Sequence, residues 1–198
     1  MLFVGLTGGL GSGKSEALAA FERLGVPTLS SDAVVHELLG TPEVRDLLRE
    51  RWGARVVAGE EIDRAAVASI VFERPEELSW LEGAIFPRVG ERTAAWRTGL
   101  ERREVPPDVA VVEVPLLFEA GIEGVFDATI AVVTEEDLRA ERAAARGHEG
   151  VAGRAGRQLT QHEKADRADY VIRNDGSLAD LEGTVATMLE ELRQRASG

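Results

Sequence analysis

The sequence predicts an α/β fold, a parallel β-sheet core flanked by helices, carrying an inserted helical subdomain and an arm. Three observations predict it. Short continuous apolar runs alternate with helical segments, the pattern of strands covered on both faces by crossover helices. A glycine-rich stretch separates the first such run from the first helix. Two stretches, 34–103 and 135–164, break the alternation and therefore stand outside the sheet.

Leu2 to Thr7 is an apolar run ending in glycines and reads as a buried strand. Ser15 to Leu24 reads as a helix with Leu18, Phe21 and Leu24 on one face, closed by Gly25. Val26 to Leu29 is a second short strand, running into Ser30-Ser31-Asp32. Residues 34–103 read as helical throughout, punctuated by Pro42, Gly53, Gly59, Pro75 and Pro87. Pro106-Pro107 marks the return to the core. Val109 to Val114 and Ala128 to Val133 are the third and fourth strands, and Tyr170 to Ile172 the fifth. Leu178 to Arg195 is a closing helix with Leu181, Val185, Met188, Leu189 and Leu192 on its inner face. The expected organisation is one domain: a core of 1–33, 104–134 and 165–198, a helical insert of 34–103, and an Arg-, Ala- and Gly-rich arm of 135–164.

A chain of 198 residues with 44% hydrophobic content suits one domain with insertions. It has no cysteine, which excludes disulfides and Cys-ligated metals. The apolar start is too short and too glycine-broken to span a bilayer, and no basic region precedes it, so a cytoplasmic location without membrane association is expected. The net charge of −12 argues against nonspecific nucleic-acid binding. An anionic ligand would therefore need local concentrations of positive charge. Of the 23 basic residues only Lys14 and Lys164 are lysines, and Asn174 is the single asparagine.

Gly8-Gly-Leu-Gly-Ser-Gly-Lys-Ser15 matches G-x-x-x-x-G-K-[ST], with a strand before it and a helix after it. Glycines let the backbone wrap so that successive N–H groups converge on phosphate oxygens, and the helix that follows adds its positive end. In this pattern Lys14 reaches the β- and γ-phosphates and the Ser15 hydroxyl is a Mg²⁺ ligand. The motif predicts a P-loop NTPase core binding ATP or a close relative. Glu16 follows as an acid in the first helical turn, where the dipole favours it.

Asp32 ends the second strand at the carboxyl edge where open α/β sheets bind ligands. It reads either as a base near the γ-phosphate or as a helix cap. Glu113, at the end of the third strand, reads either as a Walker B carboxylate or as a buried acid paired with an arginine. Glu119 reads equally as a solvated residue. Arg142 and Arg146 lie four apart on one helical face; with Arg154 and Arg157 they suit a lid closing on phosphates, or an ordinary solvated face. His36, His148 and His162 lack metal-ligand spacing and read as solvated.

Taken together, the chain resembles the dephospho-CoA kinase family. The resemblance rests on Leu6 to Ser15, Leu24-Gly25, Ser31-Asp-Ala33, Ile62-Asp-Arg64 with Ile70-Val-Phe72, and Val112-Glu-Val-Pro-Leu-Leu-Phe-Glu119. Arg154, Gln158, Glu163-Lys164, Ala168-Asp-Tyr-Val-Ile172 and Asn174 complete it. It implies transfer of the ATP γ-phosphate to the ribose 3′-hydroxyl of dephospho-CoA, with ATP and Mg²⁺ as cofactors. It also implies roles: Gly11, Ser12, Gly13, Lys14, Ser15 and Glu16 cradle ATP, Asp32 is the base, and Arg142 and Arg146 are lid arginines. Arg64, Glu113 and Leu116 fall on the substrate side, and Asn174 near the adenine. The chain departs from the family pattern at Glu16, at Phe86-Pro87 where relatives often carry His-Pro, and in the glycine-rich arm. Another small-molecule or nucleoside-monophosphate kinase of the same fold is the alternative. A GTPase switch is disfavoured because the sole asparagine is followed by Asp-Gly rather than Lys-x-Asp.

Overall fold

In the computed structural model, residues 1–145 and 158–197 are described, the side chains of 143–145 excepted. The chain divides into two compact units, Met1–Ser30 with Arg97–Gly198, and Ser31–Trp96.

The first unit holds a five-stranded sheet. Its strands are β1 (Leu2–Gly8), β2 (Thr28–Ser30), β5 (Val109–Glu113), β6 (Ala128–Val133) and β7 (Tyr170–Arg173), in the order β2-β5-β1-β6-β7. Every pairing is parallel, with Leu6 opposite Glu113 on one side of β1 and Ile130 on the other. β1 is therefore central, and the chain builds outward from it first one way and then the other. The reversal opens a crevice at the carboxyl end of β1, where ligands bind in such sheets.

The strands are apolar without alternation because both faces are covered. Helix α1 (Lys14–Arg23) and the C-terminal helix α8 (Leu178–Ser197) pack on the sheet, burying Val4, Leu6, Phe21, Ile130, Val185 and Leu192 in one core. Two more helices stand at the carboxyl edge: α6 (Glu136–Ala145) and α7 (Gln161–Arg167). The latter starts in a capping box, Thr160 accepting from the Glu163 N–H while the Glu163 carboxylate accepts from the Thr160 N–H.

The second unit contains α2 (Ser31–Leu39), α3 (Pro42–Trp52), α4 (Arg64–Glu73) and most of α5 (Pro75–Glu101). The run expected to be helical throughout is interrupted by a hairpin of β3 (Val57–Ala58) and β4 (Glu61–Ile62). Its strands are two residues each, too short for a periodic signal, and the turn centres on Gly59 with φ 69°. Thr41 and Asp63 cap α3 and α4 with their side-chain oxygens. The core of this unit is built from Val44, Leu48, Trp52, Val56 and Val67, with Trp80 edge-on to Trp52 at 5.2 Å. Glu77 accepts from Arg51 Nε at 3.0 Å and from Trp52 Nε1 at 2.8 Å. Those bonds, the Arg51 bond foremost, hold its carboxyl below the usual value. Among the described residues no helix is long and apolar enough to cross a membrane.

Candidate active site

The glycine-rich turn between β1 and α1 is buried from Gly8 to Gly13 except for Leu10. Gly11 and Gly13 have φ of 79° and 85°, the left-handed region that only glycine enters freely. Space forbids a side chain as well. A Cβ at Gly11 would sit 2.5 Å from the Arg139 carbonyl oxygen, and one at Gly13 would overlap the Asn174 amide. The Ser12 N–H donates back to the Gly9 carbonyl at 3.2 Å, tightening the turn. Lys14 opens α1 half-buried, and Ser15 and Glu16 follow, exposed in its first turn.

Glu113 ends β5, buried, and its Oε1 accepts from the Ser15 hydroxyl at 3.4 Å. This brings together the two oxygen donors singled out in the sequence. A hydroxyl and a carboxylate at a phosphate loop suit Mg²⁺, which is held by one or two protein oxygens together with substrate phosphates. Leu116 lies half-buried in the loop after β5.

Asn174, just past β7, donates from Nδ2 to the Ser12 carbonyl at 2.9 Å and is buried. Its side chain thus meets the phosphate loop, whereas the resemblance implies a place near adenine. Arg142 Nη1 donates to the Asn174 carbonyl at 2.8 Å and to Thr134 Oγ1 at 3.4 Å, tying α6 to the ends of β6 and β7. Arg146, Arg154 and Arg157 lie outside the described residues.

In the second unit, Asp32 is the second residue of α2 and exposed. Along the chain it follows Ser30 by two positions, and Ser30 is in register with Glu113. Arg64 opens α4 and contacts His36 through Nδ1, with a second bond to the His36 carbonyl at 3.5 Å. Asp32 and His36 are four apart on α2, so they share a face. His36 is exposed, as expected, and is also the partner of Arg64.

Sequence reasoning missed three groups around the loop. Arg139, on α6, donates to the Leu10 carbonyl at 3.4 Å and is clasped by Glu136, which raises the guanidinium pKa and lowers that of the carboxyl. Gln161, opening α7, brackets Thr134, accepting from its N–H at 3.0 Å and donating to its carbonyl at 3.1 Å. Lys164 is fully buried behind the loop. Its Nζ meets Glu119 Oε1 at 2.9 Å, the Pro115 carbonyl at 2.6 Å and Thr7 Oγ1 at 3.4 Å. Glu119 Oε1 also accepts the Leu159 N–H at 2.9 Å, so this acid is a buried partner and not the solvated residue the sequence equally allowed. Burial pushes the Lys164 ammonium below its ordinary pKa; the Glu119 bond opposes that, and the Lys14 charge adds to it. The signal that marks Lys14, a lysine in an arginine-biased chain, marks Lys164 too.

Comparison with known proteins agrees with this geometry. A family model described as dephospho-CoA kinase matches residues 2–180. A dephospho-CoA kinase of Deinococcus radiodurans is 37% identical over 192 residues, covering 96% of this chain and 91% of that one. A dephospho-CoA kinase of Thermus thermophilus is 36% identical over 200 residues, covering 100% and 95%. A crystal structure of a Thermus thermophilus protein, 36% identical, superposes with a TM-score of 0.79, covering 96% of this chain and 97% of that one. A match over nearly the whole chain, on a sheet with its phosphate loop and a Ser15–Glu113 pair at the carboxyl edge, places the protein: it belongs to the dephospho-CoA kinase family.

Proposed function

We propose that this chain transfers the γ-phosphoryl group of ATP to the ribose 3′-hydroxyl of dephospho-CoA, giving coenzyme A and ADP, the last step of coenzyme A biosynthesis. The family match over residues 2–180 carries this reading. Phosphoryl transfer needs alignment and charge neutralisation more than covalent participation by the protein. The N–H groups of Gly11 to Ser15 orient the β- and γ-phosphates, and Lys14 offsets the negative charge that shifts onto the leaving oxygen. Asp32 takes the proton of the 3′-hydroxyl as that oxygen bonds to the γ-phosphorus and the bond to the β,γ-bridging oxygen breaks. Ser15 Oγ and Glu113 would hold Mg²⁺, which when bound neutralises charge on the phosphates. Arg142 and Arg146 attend the nucleotide from the 135–164 arm, acting as a lid. Arg64 and Leu116 serve the dephospho-CoA side, and Glu16 contributes its backbone N–H. Small-molecule substrates and a cytoplasmic setting, where ATP is at hand, belong to the same proposal.

The test is a coupled ADP-release assay on the purified chain with dephospho-CoA, adenosine, CMP and shikimate as competing acceptors. Dephospho-CoA should support turnover far above the others, and Asp32→Asn should cut kcat roughly 10²-fold or more, as loss of a positioned base does. Preferred turnover of another acceptor would replace the substrate assignment. Retention of most of kcat in Asp32→Asn would remove Asp32 from the role of base.

A further inference from the structure

We infer that Asn174 is a positioning residue for the phosphate loop: its side-chain amide, by holding the Ser12 carbonyl, aims the Gly13 N–H into the cradle. The inference rests on the nucleotide-binding reading of that loop and assigns Asn174 no contact with the base.

A peptide unit is planar and trans, so its carbonyl and the N–H of the next residue point in opposite directions. In a loop whose N–H groups converge on an anion, the carbonyls must face outward. Fixing one outward carbonyl therefore fixes the inward N–H of the same plane. Asn174 Nδ2 lies 2.9 Å from the Ser12 carbonyl oxygen, and the other half of that peptide is the Gly13 N–H. Because the partner is a carbonyl, only the NH₂ end of the amide can face it, so the orientation of the Asn174 side chain is settled by chemistry.

The clamp stands on a rigid mount. The Asn174 N–H donates to the Val133 carbonyl at 2.8 Å. Its carbonyl accepts from Thr134 Oγ1 and from Arg142 Nη1, each at 2.8 Å. Asn174 is thus bonded to β6, to α6 and to the phosphate loop at once, and it is buried. The loop reciprocates: a Cβ at position 13 would overlap the Asn174 amide, and Gly13 adopts φ 85°. The residue that must be glycine and the asparagine that packs on it form one device.

The experiment is calorimetric titration of the full chain and of Asn174→Asp and Asn174→Ala with ATP and, separately, with inorganic tripolyphosphate, which has phosphates but no base. Asn174→Asp keeps the size, removes the donor and adds a negative charge, so its loss of affinity is at least that of Asn174→Ala, which removes the side chain alone. Both variants should bind the two ligands at least about tenfold more weakly, each by the same factor for both ligands and with one-site stoichiometry retained, as loss of one well-placed hydrogen bond predicts. Retained stoichiometry separates misaimed N–H groups from a smaller folded fraction. The Gly13 amide proton should also lose its ligand-induced NMR shift in both variants. Weakened ATP binding with unchanged tripolyphosphate binding would overturn the inference and make Asn174 a base contact, as would unchanged affinity for both ligands. If the unaltered chain binds neither ligand, the nucleotide reading and this inference fall together; if it binds both and only the variants' pattern deviates, the inference alone falls.

Discussion

Replacing Lys164 by methionine isolates the electrostatics beneath the phosphate loop. The ammonium is 0% and the Glu119 side chain 11% exposed, with 2.9 Å between them. Methionine conserves length and apolar volume, so packing changes little and the loss is that of the charge. Removing one member of a buried pair costs about 3–5 kcal/mol, because the other charge stays desolvated and unpaired. Here the lower end applies: Glu119 keeps the Leu159 N–H, and Pro115 keeps the Thr7 hydroxyl at 3.2 Å. Against a total stability of about 5–15 kcal/mol, a loss near 3 is severe. Removing both charges in Lys164→Met with Glu119→Leu leaves only the Leu159 N–H without its acceptor, about 1–2 kcal/mol. The double variant is therefore expected to be more stable than Lys164→Met alone, with a coupling of about 4 kcal/mol once Glu119→Leu alone is counted at the same cost of about 3, measured by urea unfolding of the four proteins. The linkage has a definite sign. Burial lowers the folded-state pKa of Lys164 below 10.5. The cost of burying the charge is thus complete below the folded pKa and is relieved as pH climbs toward the unfolded value. Wild type should gain stability relative to Lys164→Met as pH rises from neutral into that range. A single variant within about 1 kcal/mol of wild type, or a double variant that loses the sum of the singles, would refute the reasoning.

Lys14→Ala should abolish phosphoryl transfer while the thermal midpoint stays within a few degrees, because the side chain is only half-buried; near-normal turnover would remove the phosphate-loop assignment. Gly13→Ala forces a Cβ into the left-handed region and onto the Asn174 amide. Nucleotide affinity should fall at least about tenfold, the scale of 1–2 kcal/mol for that strain, as read by displacement of a fluorescent analogue. Glu77→Gln should flatten the acid limb of stability. The Arg51 and Trp52 bonds lower the Glu77 pKa from 4.5, so its contribution is whole above that value and drains away as pH falls through the folded-state pKa. Tryptophan fluorescence, to which Trp52 and Trp80 beside Glu77 contribute, should register unfolding at a higher pH in wild type than its stability at neutrality alone would give. Identical acid limbs in the two proteins would count against the pair.

How much of this was legible beforehand depended on whether the determinant was local. Buried parallel strands are continuous apolar runs, so β1, β5 and β6 stood out within a residue of their ends. The phosphate loop was legible because each residue in it serves a constraint a single chain segment states: wrap, charge, hydroxyl. The β3–β4 hairpin was invisible because two-residue strands have no period. Arg139, Gln161 and the pairing of His36 were missed for another reason. Their roles arise from what stands across from them, Leu10, Thr134 and Arg64, and nothing within a helix announces a partner far along the chain. Composition offered the one available substitute. In a chain with two lysines and one asparagine, Lys164 and Asn174 are each held by specific contacts, and their rarity marks them as it marks Lys14.

The central place of β1 has a consequence for the chain as it is made. Leu2–Gly8 leaves the ribosome well before either of its neighbours: Leu2 pairs with Val109, and Val4 with Ala128. At about 5–20 residues per second, the hundred-odd residues between them take roughly 5–20 s to synthesise. For that interval an apolar strand with two unsatisfied edges is exposed, while residues 31–96, which form a compact unit of their own, can already close. Nascent-chain folding should thus run inside out, the insert ordering before the sheet that encloses it in sequence. The first strand is the natural client of any factor that shelters emerging polypeptide.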